Sequence, residues 1–257
     1  MNSLDSHQKE RYSRQIRLSG IGEAGQQRLL DSRVLIVGLG GLGSPVALYL
    51  AAAGVGHLVL TDYDHVDESN LQRQIIHTQT DIGELKVESA RNSLLAINPD
   101  VEVTCLAYEL NEDDLYAEID KADAVIDCTD NFPSRFLLNR ISIATKTPLI
   151  SAAAIRQEGQ IITFDPRRAD SPCYECLYRD DGQESASCAL EGVVAPLAGV
   201  IGTMQSQEAI NLLLGKSALT GNLMLFDGVS MEWTRVRVHK ADDCPACSVP
   251  SSQISLS

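Results

Sequence analysis

The sequence predicts an α/β fold with a doubly wound, mostly parallel sheet that an antiparallel half continues. Short apolar segments alternate with segments of helical period from residue 33 to 153, which is typical of parallel strands joined by helical crossovers. From residue 157 onward apolar segments follow one another more directly, which indicates antiparallel strands. Of the 257 residues 44% are hydrophobic, which is enough for a sizeable core.

In chain order, we predict N-terminal helices over 1–32, a nucleotide-binding half over 33–155 and an antiparallel, zinc-bearing half over 156–247. The serine-rich tail 248–257 is predicted to be disordered, and the whole of 1–257 is interpreted as one domain. The first helix is polar and contains Arg11, Arg14 and Arg17. Strands are predicted over 33–37, 57–61, 101–106, 123–127, 148–153, 159–164, 222–226 and 233–238, and helices over 24–30, 42–53, 85–97, 112–119, 131–145 and 196–214.

The charge of the chain narrows the range of its partners. A net charge of −14 argues against nucleic acids and anionic membranes, which would repel the protein. No apolar run approaches the roughly 20 residues that cross a bilayer, and the polar start lacks the apolar core of a signal peptide. We therefore expect a cytoplasmic protein whose partners are proteins or small molecules.

A glycine-rich turn follows the first buried strand. Gly38, Gly40 and Gly43 have the G-x-G-x-x-G spacing, which lets the backbone approach a phosphate where a helix begins. Asp62 ends the next strand, where a carboxylate can accept hydrogen bonds from ribose hydroxyls. This motif alone fits NAD, FAD or S-adenosylmethionine as well as ATP.

Three charged residues beyond Asp62 favour ATP. Arg73 and Lys86 bring cations towards the glycine turn, and Asp130 follows a later strand at its carboxyl end. A triphosphate is usually met by such cations and by a metal ion that an acid positions. The alternatives are that Arg73 and Lys86 are solvated surface charges and that Asp130 caps the helix beginning near residue 132.

Two cysteine pairs predict a metal site. Cys173 and Cys176 form one C-x-x-C pair, and Cys244 and Cys247 form the other. Four thiolates suit tetrahedral Zn²⁺, and a closed set without an open position indicates a structural role. The alternative is two separate redox pairs or buried thiols.

The other three cysteines receive different interpretations. Cys105 and Cys128 lie in apolar strand patterns and are predicted to fill the core. Cys188 lies in a polar segment ahead of Gly192, where a thiol could reach an activated acyl group. A loop cysteine without a role is the alternative. The histidines are interpreted as structural or surface residues.

Taken together, these motifs resemble the ThiF/MoeB/HesA adenylyltransferases, which are relatives of ubiquitin-activating E1 enzymes. The resemblance covers nearly the whole chain, and several independent motifs occur in the family's order. They are Arg11 to Gln15, Gly38 to Gly43, Asp62, Ser69 to Gln74, Lys86, Asp127 to Asn131 and the two cysteine pairs.

The resemblance implies ATP-dependent adenylylation of the C-terminal glycine of a small ubiquitin-fold sulfur-carrier protein ending in Gly-Gly, with release of pyrophosphate. It implies that Gly41 backs the nucleotide, that Asp62 holds the ribose, that Arg73 and Lys86 hold phosphates and that Asp130 helps to place Mg²⁺. The remaining residues of the implied nucleotide site are Gly38, Gly40, Gly43, Ser69, Asn70, Leu71, Gln72 and Asn131.

Further implications concern the assembly. Arg14 would reach the neighbouring subunit's site, which implies a homodimer. Cys188 aligns with a loop cysteine that bonds covalently to the carrier in some members. Residues 153–160 resemble the molybdopterin branch, whereas 226–230 resemble the thiamine thiazole branch. We expect no appended rhodanese domain and hence a separate sulfur donor protein. An NAD-dependent oxidoreductase and a noncatalytic nucleotide-binding scaffold remain as alternatives.

Overall fold

The computed structural model describes residues 4–179 and 191–248. The strands in this part of the chain are β1 Arg33–Val37, β2 His57–Thr61, β3 Glu102–Leu106, β4 Ala124–Asp127, β5 Leu149–Ile155, β6 Glu158–Phe164, β7 Asn222–Asp227 and β8 Glu232–Arg237. The helices are α1 Ser6–Arg11, α2 Ser13–Ile16, α3 Gly22–Leu30, α4 Gly43–Ala53, α5 Lys86–Ile97, α6 Glu112–Asp120, α7 Phe132–Thr145, α8 Tyr174–Leu177 and α9 Ala195–Leu213. Short 3₁₀ helices cover Glu68–Asn70 and Gln79–Asp81.

All eight strands form one sheet in the order β3-β2-β1-β4-β5-β6-β7-β8. The strands from β3 to β5 in this order are parallel, and β5 to β8 pair antiparallel. The predicted parallel sheet with an antiparallel continuation is therefore confirmed. The chain moves from β1 outward to β2 and β3 and then returns to β4 on the other side of β1. Such a reversal leaves a crevice at the carboxyl ends of the strands.

The sheet separates two apolar layers. On β1, Val34 and Ile36 pack on the side of α4, α5 and α9, whereas Leu35 packs on the side of α6 and α7. Helix α9 lies close to α4, because Gly202 has no Cβ; a Cβ there would stand 2.5 Å from the Leu42 carbonyl oxygen. This contact brings the second half of the chain against the start of α4.

The N-terminal helix differs from the sequence prediction, because it is divided at Tyr12. This residue has φ −97° and ψ 14°, and its ring is buried against the protein. The Asn98 side chain donates a hydrogen bond of 3.0 Å to the Tyr12 hydroxyl oxygen. Burial of Tyr12 thus fixes the position at which the helix is divided. The second part, α2, contains Arg14.

The two cysteines predicted to fill the core lie in or beside strands. Cys128 is buried, and this burial raises the pKa of its thiol well above its usual value. Cys105 is only partly buried, with Sγ 3.3 Å from the Val87 carbonyl oxygen, and its pKa is raised to about 11 by burial. No helix in the described ranges has the length and apolar character that a membrane span requires.

Candidate functional site

A cleft of about 640 Å³ opens at the carboxyl ends of β1, β2 and β4. Strands, loops and the start of α7 each contribute to its walls. The structure brings ten of the predicted site residues together there. They are Gly38, Gly40, Gly41, Asp62, Asn70, Gln72, Arg73, Lys86, Asp130 and Asn131.

Four other predicted residues do not line the cleft. Gly43 is buried at the start of α4, and a Cβ on it would lie 2.0 Å from the Gly38 carbonyl oxygen, so this glycine permits close packing of helix and strand. Ser69 and Leu71 flank Asn70 without facing the cavity. Arg14 is exposed on α2. The fifth, Cys188, lies outside the described residues.

The glycine turn presents its backbone to the cleft. Gly38 has φ +91°, a conformation that suits glycine, and a Cβ on it would lie 2.9 Å from the Cys128 carbonyl oxygen. Within the described residues, the N–H groups of Gly40 and Gly41 donate to no protein acceptor. Since α4 begins at Gly43, these donors and the positive end of the helix face the same cavity. The turn is therefore suited to an anion.

Asp62 is connected to this turn. Its Oδ2 accepts a hydrogen bond of 2.8 Å from the N–H of Leu39, and its Oδ1 accepts one of 2.9 Å from the N–H of Asp64. A carboxylate has about four lone-pair sites, so capacity remains for hydroxyl donors of a ligand. Asp62 can thus support the turn and bind a ligand at once.

The two predicted phosphate ligands differ in their surroundings. The Arg73 guanidinium donates to the Ser69 carbonyl oxygen at 3.1 Å, and no carboxylate pairs with it in the described part of the chain. Lys86 is buried, with Nζ 2.8 Å from Oδ2 of Asp64 and 4.0 Å from Oδ2 of Asp62. Lys86 is therefore not an ordinary solvated charge, whereas the hydrogen bond of Arg73 is exposed and stays within its own loop.

Two aspartates near the end of β4 have separate positions. Asp127 is fully buried, and it accepts hydrogen bonds from Thr129 Oγ1 at 2.6 Å and from Ser151 Oγ at 2.7 Å. Asp130 is exposed on the wall of the cleft. The helix-cap alternative for Asp130 is wrong, because the Asn131 side chain accepts from the Ser134 N–H at 2.9 Å and caps α7.

These features fit ATP and Mg²⁺. Apolar side chains at one part of the cleft can contact a base, while the glycine turn and two cations can contact phosphates. The exposed carboxylate of Asp130 is the type of oxygen ligand that Mg²⁺ takes. The apolar side chains are Leu110, Leu115, Leu137 and Leu138.

The four predicted cysteine ligands converge at a second site. Their sulfurs lie within 4.8 Å of one another. The Cys173–Cys244 and Cys176–Cys247 sulfur pairs are each 3.5 Å apart, and Cys173–Cys176 is 3.9 Å. A metal–sulfur bond of about 2.3 Å in a tetrahedron places sulfurs about 3.8 Å apart. The cluster therefore fits a tetrahedral metal, and the alternative of two separate cysteine pairs is wrong.

Backbone contacts hold this cluster in shape. The N–H of Ala241 donates to Sγ of Cys176 at 3.4 Å, and the N–H of Cys244 donates to the Ala241 carbonyl oxygen at 3.2 Å. Hydrogen bonds from the Cys173 and Cys247 thiols and from this N–H lower the pKa of Cys176. Hydrogen bonds among the same sulfurs, with burial, raise the pKa of Cys173.

Several residues of the site were not predicted from the sequence. Asp64 is the partner of Lys86. Its position two residues after Asp62 was the sequence feature that could have identified it as part of the site. Gln205 of α9 donates to the Asp127 carbonyl oxygen at 2.8 Å, a contact between distant segments that no motif indicated. Gln74, which the sequence placed in the polar motif around Arg73 without a role of its own, also lines the cleft.

Comparison with known proteins gives a consistent result. Residues 12–246 match the ThiF family. The sulfur carrier protein ThiS adenylyltransferase of Escherichia coli (strain K12) is 47% identical over 237 residues, which cover 92% of this chain and 94% of that protein. The molybdopterin-synthase adenylyltransferase of the same organism is 45% identical over 248 residues, covering 96% and 99%. The SAMP-activating enzyme E1 of Haloferax volcanii is 42% identical over 248 residues, covering 95% and 91%.

Solved structures share the fold. The crystal structure of PaaA has a TM-score of 0.79 and 22% identity, covering 94% of this chain and 76% of PaaA. That of E. coli MccB with ATP has a TM-score of 0.78 and 22% identity, covering 92% and 74%. At this sequence identity the likeness shows the fold alone.

Proposed function

This chain belongs to the ThiF family, and from that premise we propose that it adenylylates the C-terminal glycine of a small ubiquitin-fold sulfur-carrier protein. The observation that carries the proposal is the meeting of the glycine turn, Arg73, Lys86 and Asp130 around one cleft. The relatives over nearly the full chain are named as adenylyltransferases for ThiS and for molybdopterin synthase.

In the proposed reaction, ATP is a substrate. An oxygen of the carrier's C-terminal carboxylate attacks the α-phosphorus, the bond from that phosphorus to the bridging oxygen breaks, and pyrophosphate leaves with the electron pair. The products are an acyl adenylate and pyrophosphate. A terminal carboxyl has a pKa of about 3.5 and is already ionised at neutral pH, so no general base is needed.

The chain's own groups then have two tasks, which are positioning and charge stabilisation. The N–H groups of the glycine turn, with Arg73 and Lys86, bind the phosphates. Asp62 holds the ribose. Asp130 would hold Mg²⁺, which supplies positive charge against the phosphate oxygens. The predicted residues Asn70, Gln72 and Asn131 complete the polar wall of the cleft.

We propose that the four-cysteine site holds Zn²⁺ in a structural role. All four positions of a tetrahedron are taken by thiolates, so no position stays open for water or substrate. The cysteines of this cluster form no disulfide, which is consistent with a reducing compartment, and we propose that the protein works in the cytoplasm.

For the assembly, we propose a homodimer in which Arg14 reaches the neighbouring subunit's cleft. Arg14 is exposed and makes no hydrogen bond or ion pair within the described residues, so its guanidinium is available to a partner. A trans arginine would stabilise charge on the transferring group. We further propose that sulfur comes from a separate donor protein and that Cys188 serves a later transfer step.

The test is ATP–pyrophosphate exchange with the purified chain and each of two carriers, the molybdopterin and the thiazole one. Carriers without the last glycine are the matched controls. Exchange that requires one intact carrier supports the proposal and selects the pathway, and exchange with both indicates a shared activator. ATP binding without exchange for either carrier would favour a noncatalytic nucleotide-binding scaffold.

A further inference from the structure

Residues 68–77 form a loop that lies against the glycine turn. A Cβ on Gly41 would lie 3.4 Å from Cγ of Arg73, and a Cβ on Gly40 would lie 3.8 Å from Nε2 of Gln74. Arg73 thus lies beside Gly41 and Gln74 lies beside Gly40, so the loop and the turn run in opposite directions. The two side chains occupy the space beside the two glycines, so the loop and the turn are complementary in shape.

Gln74 has a feature that packing alone does not explain. Its side chain is buried, with 4% exposed, yet it contributes to the lining of the cleft. Its Oε1 atom is buried and has no hydrogen-bond partner in the described part of the chain. Leaving such an atom unpaired costs about 1–3 kcal/mol, so a packing role alone would be better served by an apolar side chain.

The loop that carries Gln74 is firmly attached. The Gln74 N–H donates to the Asn70 carbonyl oxygen at 2.9 Å. Two serines of α5 fix the end of the loop, since Ser93 Oγ donates to the Ile76 carbonyl oxygen at 2.7 Å and Ser89 Oγ lies 2.8 Å from Nδ1 of His77. Gln74 is therefore held on a rigid support rather than on a free loop.

The glycine turn, in contrast, has little intrinsic rigidity. Glycine loses more conformational freedom than other residues when its backbone is fixed, so a turn that must aim N–H groups needs support from outside. Asp62 supplies one contact at Leu39, from the strand side. The Gln74 amide lies beside Gly40, one residue further along the turn.

We propose that Gln74 is a positioning residue for the phosphates of ATP: its side-chain amide is buried beside Gly40, and its unpaired Oε1 offers an acceptor to one free N–H of the glycine turn, which fixes the turn so that its other free N–H groups point at the phosphates. The inference rests on the proposed function, because it takes ATP as the ligand of the cleft. It adds to the site a residue that acts through the backbone of the turn.

The experiment compares wild type with Gln74→Met, which keeps the length of the side chain and removes the amide. Dissociation constants for ATP and for adenosine are measured by calorimetry without any carrier. We expect the constant for ATP to rise about tenfold, because backbone donors to a charged acceptor lose their alignment, and the constant for adenosine to change less than about twofold. In exchange assays KM for ATP should rise more than kcat falls.

The matched control is Gln79→Met, since Gln79 is exposed in the second 3₁₀ helix and lies outside the cleft. It should bind both ligands as wild type does. Gln74→Leu also removes the amide and adds no charge, so it serves as a second variant if the methionine protein does not fold. It should weaken ATP binding about as much as the methionine does, again with little effect on adenosine.

Two results would overturn the inference. One is unchanged ATP affinity in the Gln74 variants, with wild type binding ATP normally. The other is an equal loss of ATP and adenosine affinity, which would mean that Gln74 only maintains the fold. Wild-type protein that binds no ATP would refute the proposed function and this inference with it, so the two failures are distinguishable.

Discussion

Lys86 and Asp64 form an ion pair at the edge of the cleft, with Nζ 2.8 Å from Oδ2. The lysine side chain is 7% exposed, whereas that of the aspartate is 56% exposed. The buried cation is thus already paired in the protein without ligand, and its partner is the residue in contact with solvent. The proposed contact of Lys86 with a phosphate would therefore exchange one anionic partner for another.

The first prediction follows from this exchange. Asp64→Asn should tighten ATP binding about 1.4- to fivefold, because an ion pair with an exposed partner contributes about 0.2–1 kcal/mol that ATP no longer has to replace. Lys86→Met should weaken ATP binding by more than tenfold. Calorimetric titration of both variants with ATP measures these changes in affinity. Weaker ATP binding by the Asp64 variant would show that Asp64 orders the Lys86 side chain instead of competing with ATP for it.

Asp130→Ala should lower the rate of ATP–pyrophosphate exchange by orders of magnitude and leave the Tm unchanged. The residue is exposed and does not cap α7, so its loss removes the proposed metal ligand and no packing. Asp113→Ala, an exposed acid in the first turn of α6, is the control and should retain full exchange. Near-normal exchange by the Asp130 variant would refute its role in metal placement.

Cys244→Ser should abolish binding of the proposed metal and lower the Tm of the protein. The upper bound on the loss is about 10–16 kcal/mol, the binding free energy of structural Zn²⁺ in small peptides. Metal content by mass spectrometry and thermal unfolding measure the two effects. Cys105→Ser is the control, because Cys105 lies outside the cluster, and it should keep the metal. Full metal occupancy in the Cys244 variant would contradict the four-ligand assignment.

Mixing two inactive variants tests whether Arg14 acts in trans. Arg14→Ala and Asp130→Ala proteins, unfolded and refolded together in equal amounts, should form heterodimers with one intact site each. About one quarter of all sites would then be active, for a two-fold symmetric dimer with random assortment. If Arg14 acts within its own subunit, no site is restored and the mixture stays inactive.

A pH prediction follows from His77. Burial, the main cause, lowers the pKa of its imidazole below the ordinary value of 6.5, and Lys86 adds to this, while the Leu39 backbone, Asp81 and Asp62 oppose it. Between the folded and unfolded pKa values the unfolded chain binds the extra proton. The free energy of unfolding therefore falls as the pH drops below about 6.5.

Urea unfolding at pH 7.5 and 5.5 measures this effect. Burial also lowers the pKa of His57, so the pH dependence of wild-type stability contains contributions from both histidines. His77→Asn should lose less stability between the two pH values than wild type does. The exposed residue His65 gives the control, His65→Asn, which should behave as wild type. An unchanged pH difference in the His77 variant would show that His77 does not contribute.

Much of the sheet was predictable from the sequence, because its strands are short, apolar and separated by clear turns. The predicted spans 33–37 and 57–61 are those of β1 and β2, and most other elements differ by one or two residues at their ends. The differences lie at the caps. Helix α7, for example, begins after Asn131 because the Asn131 side chain accepts the Ser134 N–H.

What could not be predicted depends on contacts between distant segments. The division of the first helix follows from Tyr12 packing near Asn98, which no local pattern indicates. The pairing of Lys86 with Asp64 and the place of Gln74 beside Gly40 likewise require the folded loop. The cysteine cluster was predictable in its members, since the C-x-x-C spacing repeats, but the convergence of the sulfurs needed the structure.

A metal bound in the four-cysteine cluster, as proposed, would make the stability of this protein depend on the free metal concentration around it. A metal that binds the folded chain and not the unfolded one stabilises by mass action, so each tenfold rise in free metal concentration adds about 1.4 kcal/mol once the site is near saturation. The sulfurs of the cluster come from residues 71 positions apart, before α9 and after β8. With the proposed metal bound, the folded population of the segment between them would be linked to the metal buffering of the cell, and samples prepared with chelators of different affinity would differ in their free energy of unfolding.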